Sequence, residues 1–219
     1  MVPEHVPPFR SLEQIPVTQL KRVGPRIAER LDRLGIRTVQ DLLFHLPVRY
    51  QDRTRLVPIR ELRVGEDALV EGEVCEANIA VGRRRSLKVW ISDDPIGGIL
   101  LRFFHFSPQQ AAAFKAGARV RCYGEVRQGP HSLEMVHPEY RLQTDASAET
   151  TESRLTPIYP STEGLQQSAW RGLMDQALEW LGHLPPADYL SAEILAPLNL
   201  PGLAEALHYL HHPPLETSL

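Results

Sequence analysis

Between residues 68 and 140 the chain alternates apolar and polar side chains in five short runs, with one helical stretch after the third, and few folds accept that order. The runs cover 68–78, 86–93, 98–104, 118–127 and 132–140, and the helical stretch covers 108–116. This is the element order of an OB-fold, a small Greek-key barrel used mainly to grip single-stranded nucleic acid. The expected fold class is α+β: a five-stranded OB barrel, preceded by a helical hairpin and followed by further helices. Cys75 and Cys122 fall inside the first and fourth runs, where alternation turns both toward the barrel interior as small buried thiols.

Alternation also sorts the side chains of the second and third strands into two faces. Leu87, Val89 and Ile91 share one face with Ile99, Leu101 and Phe103. The other face carries Lys88, Trp90, Ser92, Leu100, Arg102 and Phe104, a mixture of basic and aromatic groups. Unpaired bases stack on aromatic rings for roughly 1–3 kcal/mol each, and guanidinium groups meet phosphate. The alternative for Trp90 and Phe104 is packing beneath flanking helices, since large aromatics are commonly buried. Arg83, Arg84 and Arg85 occupy the loop between the first two strands, one of the loops with which OB-folds clamp ligands. Arginines in such a tip grip backbone phosphate without reading bases; the alternative is a solvated turn.

Ahead of the barrel, Leu20, Val23, Ile27, Leu31 and Leu34 recur at helical spacing within 16–46. Gly24-Pro25 breaks the run, and a second helix over 38–46 is capped by Thr38 and stopped by Pro47. The string from Leu20 to Leu31 is similar to a helix-hairpin-helix, whose glycine turn offers N–H groups to phosphate. Lys21, Gly24 and Arg26 are the candidate contacts there, although Arg22 stands where such hairpins carry their first glycine. The alternative is a helical pair packed against the barrel. After the barrel, 143–153 reads as a linker, and Leu165, Trp170, Leu173, Met174, Leu178 and Leu181 form a helical stripe. A last helix covers 203–211. His208, His211 and His212 lack acidic or thiol partners at ligand spacing, so they read as a surface helix end and no metal site is expected.

Three segments follow from these boundaries: 1–62, 63–142 and 143–219. Lys+Arg against Asp+Glu number 11 and 7, then 11 and 10, then 2 and 10, so the first two suit a polyanion and the third repels one. The 219 residues and 42% hydrophobic content are those of a globular chain. No run of eighteen apolar residues and no signal-peptide pattern occur, so a cytoplasmic protein without a membrane partner is expected.

An ordered series of strings resembles the N-terminal region of the bacterial RecG family of ATP-dependent DNA helicases. It comprises Leu20 to Leu31, Leu34-Gly35-Ile36-Arg37-Thr38-Val39-Gln40-Asp41-Leu42-Leu43, and His45-Leu46-Pro47-Val48-Arg49-Tyr50-Gln51-Asp52-Arg53. Ile91-Ser92-Asp93 through Arg102-Phe103-Phe104, His137-Pro138-Glu139-Tyr140, Leu155-Thr156-Pro157-Ile158-Tyr159-Pro160 and Thr162-Glu163-Gly164-Leu165 continue it. The resemblance implies ATP-driven remodelling of replication forks and Holliday junctions in recombination and repair. Within it the barrel is a wedge that splits DNA arms at the branch, and Phe104 matches the aromatic that stacks on the junction base pair. The family's second aromatic falls at Pro108, so that contact is missing or supplied by Phe106. It further implies helicase motor domains in cis, with ATP and magnesium confined to them, a nucleoid-associated location, and single-strand-binding protein as a partner. The chain holds no Gly-x-x-x-x-Gly-Lys-Ser/Thr loop, so it is expected to be non-catalytic alone, with 143–219 as the connector toward a motor. A free-standing single-strand-binding or protein-interaction OB module is the alternative.

Overall fold

A computed structural model describes residues 9–82, 84–95, 97–143, 154–161 and 164–215. The chain divides into two compact units, Met1–Gln51 with Arg154–Leu219, and Asp52–Ser153. In the first lie α1 (Pro25–Arg33), α2 (Val39–Leu43), β1 (Arg49–Gln51) and β8 (Thr156–Ile158), followed by α4 (Gln167–His183), α5 (Ala192–Leu195) and α6 (Leu203–His211). The second holds β2 (Asp67–Ala80), β3 (Ser86–Ser92), β4 (Ile99–Phe103), α3 (Pro108–Ala113), β5 (Arg119–Gln128), β6 (Leu133–Val136) and β7 (Glu139–Leu142).

The second unit is a closed barrel. Its strands run β2-β3-β4-β6-β5, and β5 pairs back onto β2, so the barrel itself has no open edge. Only β4–β6 is parallel, as the OB order requires. Val70, Val74, Leu87, Val89, Ile91, Ile99, Leu101, Val120, Cys122, Val126 and Met135 fill the interior. Burial pushes the Cys122 thiol up, so it behaves as an inert apolar group. Ser107 caps α3 by accepting from the Gln110 N–H, and Pro108 takes the first helical position. The helix stops at Ala113, short of the expected 116, and places Phe114 against Phe103 and Tyr140 at one end of the barrel.

Two expectations fail here for identifiable reasons. Cys75 is exposed: inward residues of β2 are even-numbered as far as Val74, and a bulge between Val74 and Glu76 shifts the phase before Ala77. The expected fifth strand, 132–140, is broken into β6 and β7 at His137-Pro138. His137 takes φ +50, and the turn carries the chain from β4 and the far end of β5 to the near half of β5.

The first unit is helical, and residues from both of its segments share one core. Ile15, Leu31, Val39, Leu42 and Leu43 pack with Trp170, Met174, Ala177, Leu181 and Leu207. Contacts therefore group the chain differently from the three expected segments, since 1–51 and 154–219 belong together. Helix in 16–46 is shorter than periodicity predicts: α1 starts only at Pro25, because a proline fits the first turn and not an interior one. Two 3-10 turns precede it, Leu12–Gln14 and Val17–Gln19. Thr38 and Asp41 make a reciprocal capping box on α2, which ends at Leu43. The stripe expected after residue 165 is the buried face of α4. His211 lies fully buried instead of on a surface helix end. Most of the expected linker, 144–153, lies outside the described residues.

Candidate nucleic-acid interface

The outer face of β3 and β4 has the composition that alternation predicts. Antiparallel pairing sets Lys88 opposite Arg102 and Trp90 opposite Leu100, and all four are half-buried. The Trp90 indole lies on Gly98, where an added Cβ would come within 2.6 Å of ring atoms. Glycine is required there because the ring occupies the space of a side chain. Trp90 thus packs along the sheet while retaining exposed surface.

Arg102 has a protein partner that strand periodicity does not reveal. Its Nη2 lies 2.6 Å from Glu134 on β6, and the two side chains are 19% and 13% exposed. The pair arises from the parallel β4–β6 register, in which Leu100 faces Glu134. Glu134 was not among the expected site residues, and it satisfies much of the charge that Arg102 would offer to phosphate.

Phe103 and Phe104 separate as the alternation predicts. Phe103 is buried against Phe114 and Tyr140, while Phe104, just past the end of β4, is half-buried. The Phe104 N–H donates to Nε2 of His137 at 3.1 Å, and the two rings lie 5.8 Å apart at a tilt of 46°. Phe106 is half-buried at the margin of the core, and the Arg85 guanidinium stands 5.2 Å above its ring. Because Leu87 pairs with Phe103, the start of β3 lies beside the end of β4. Exposed Arg84 and Arg85 therefore approach the same end of the sheet as Phe104 and Phe106. Arg83 lies outside the described residues. His137 was not among the expected site residues; its position before proline at a strand break was the available signal.

Elsewhere on this unit, a concavity of about 560 Å³ is lined by Glu71, Glu73, Asp93 and Asp94, with Arg119 as its one basic group. Its charge is wrong for phosphate, which leaves the β3–β4 end as the better nucleic-acid surface.

Lys21, Gly24 and Arg26 belong to the helical unit. Arg22 adopts φ +70, the conformation a glycine would supply in a hairpin turn, and Gly24 is the N-cap of α1. The Lys21 N–H donates to Gln176 Oε1, and Arg26 is exposed. Since a 3-10 turn replaces the first helix, the segment is a capped single helix and not a helix pair.

A closed barrel of this strand order, with aromatic and arginine side chains gathered at one end of its second and third strands, defines a module of the OB-fold class. The RecG wedge domain model matches residues 16–181, and the chain belongs to that family. It is 44% identical over 205 residues to the ATP-dependent DNA helicase RecG of Escherichia coli K12, covering 94% of this chain and 29% of that protein. To the RecG of Pasteurella multocida it is 43% identical over 212 residues, covering 96% and 30% respectively. A solved structure of RecG bound to a three-way DNA junction matches with a TM-score of 0.74 at 23% identity, across 98% of this chain and 28% of that one. The chain thus spans less than a third of the length of these relatives.

Proposed function

We propose that this chain is the branch-recognising wedge of an ATP-dependent DNA helicase, presenting Phe104 to the base pair at a fork or four-way junction. The observation that carries the reading is the placement of Phe104, whose neighbour Phe103 anchors the strand end in the core while Phe104 itself is only partly buried. An aromatic fixed by its backbone and open on one side offers a stacking platform that any base pair can meet. Arg84, Arg85 and Lys88 supply positive charge at the same end for the phosphates of separating strands. Family membership and the RecG–junction complex support it. ATP and magnesium belong in this reading to motor domains in cis, and the chain itself is non-catalytic. Single-strand-binding protein is a further partner, and the assembly works at the nucleoid.

The test is a competition among a fork, a four-way junction, linear duplex and a single-stranded oligonucleotide. The wedge reading expects branched forms to win, and preference for the simple oligonucleotide would overturn it. Phe104→Ala should lower fork affinity by about 1–3 kcal/mol with little change in melting. A core aromatic would instead lose about 3–5 kcal/mol of stability.

A further inference from the structure

We propose that His137 is a positioning residue for Phe104, holding the aromatic in its working orientation only while the imidazole is neutral. The inference rests on the wedge reading and adds a condition to it.

The β4 ladder ends at Phe103, so Phe104 has no strand partner to set its direction. His137 supplies the missing constraint from both its backbone and its side chain. Its N–H donates to the Arg102 carbonyl at 2.8 Å, and its Nε2 accepts from the Phe104 N–H at 3.1 Å. The two bonds bracket residues 102 to 104. The φ of +50, which few non-glycine residues adopt, turns the ring back toward the strand end. Three aromatic side chains flank that ring, which remains exposed to solvent: Phe104 tilted at 5.8 Å, His105 stacked at 5.7 Å and Phe103 edge-on at 6.0 Å.

A ring nitrogen that accepts from an amide carries no proton, so the other, Nδ1, holds the single proton of a neutral ring. Protonation would turn Nε2 into a donor facing a donor, and the hydrogen bond to Phe104 would be lost. Partial desolvation, followed by the neighbouring His105, lowers the His137 pKa below the ordinary histidine value of 6.5. The accepting form therefore prevails at neutral pH. His105 is the titratable group stacked on the ring. Glu134 on β6 is paired with Arg102 of β4, and Glu139 at the start of β7 is held by both Nη atoms of Arg53.

Acid gives the two roles of His137 opposite signs. If it were a phosphate contact, protonation would tighten binding to every DNA form. As a positioning residue, its protonation frees Phe104 and weakens the preference for branches, even while overall attraction to phosphate rises. The ratio of fork affinity to linear-duplex affinity, measured with the 219-residue chain at fixed ionic strength between pH 8 and 5.5, separates them. The expected result is a ratio that falls about fivefold or more in acid, the loss of one stacked ring. His137→Gln, whose amide oxygen reaches as far as Nε2 and does not titrate, should keep the ratio high throughout. His137→Phe, which keeps a ring but offers no acceptor, should give the low ratio at every pH. A wild-type ratio above one that does not change with pH would overturn the inference and leave the wedge reading standing. A ratio of one at pH 8 would overturn both.

Discussion

The barrel and the helical unit solve the problem of holding a small core in different ways. In the barrel, each strand contributes alternate residues to an interior that is apolar throughout, and its buried cation is neutralised at the margin. Arg53 there meets Glu139 through two 2.9 Å hydrogen bonds and stands 4.0 Å over the Tyr123 ring. The helical unit instead joins residues far apart in sequence through neutral polar bonds. His211 accepts from or donates to Tyr159 Oη at 3.0 Å through Nδ1 and bonds the Leu43 carbonyl at 2.8 Å through Nε2, while Tyr50 Oη donates to the Leu210 carbonyl at 2.7 Å. Since Nε2 faces a carbonyl it must donate, so in the neutral ring Nδ1 accepts from the tyrosine hydroxyl. Local periodicity makes the barrel, whereas long-range satisfaction of buried polar groups makes the helical unit. One consequence is that the two should fail under different stresses.

The largest expected difference comes from Trp170, which lies at the centre of the helical unit and stacks 4.6 Å from His45. Trp170→Ala should cost that unit about 3–5 kcal/mol. Barrel signals, followed through hydrogen exchange of β3 and β4 amides, should persist after the helical amides are lost. Simultaneous loss of both would show that the units unfold as one and would break the comparison.

A smaller effect is expected in acid, centred on the helical unit, whose His211 is fully buried whereas the barrel's His137 is exposed. Burial lowers the His211 pKa in the folded chain, so below the unfolded value of 6.5 the unfolded state binds a proton that the folded state refuses. Stability is complete above that pH and falls as pH drops toward the lowered folded value. The slope approaches about 1.4 kcal/mol per pH unit for one proton. His211→Gln should flatten this slope in urea melts, and an unchanged slope would place the acid sensitivity elsewhere.

The smallest expected effect belongs to the barrel and is read through salt. Replacing Arg84 and Arg85 by alanine should weaken fork and linear DNA alike and reduce the slope of log affinity against log salt by about 1–2. The acid response of the helical unit should be untouched. No change in slope would mean that the loop is a solvated turn.

The same contrast explains what could be read in advance. Leu87, Val89 and Ile91 against Lys88 and Trp90 is a period-two signal that depends on nothing outside the strand, and it predicted both faces of β3. Phe103 and Phe104 were separable on the same basis. Cys75 was misplaced because it sits at the bulge, where the inward phase passes from even-numbered Val74 to odd-numbered Ala77. The Arg102–Glu134 pair was hidden because it depends on β4 and β6 running parallel, a relation that neither strand carries alone. His211 looked like a surface residue at a helix end because both its partners, Tyr159 and Leu43, are remote in sequence.

The pairing of β1 with β8 has a further consequence. Gln51 and Thr156 are opposite partners at its open end, and partners in an antiparallel pair have Cα atoms about 4.5–5.5 Å apart. The chain therefore leaves for the barrel and returns from it through a single doorway. Among the described residues, none of the helical core is drawn from 52–153. In topological terms the barrel is a cassette hung on what would otherwise be an ordinary hairpin. Closing that doorway with a short turn would leave the described contacts of the helical core in place, so the barrel's length, charge and loop chemistry can diverge without drawing on that core.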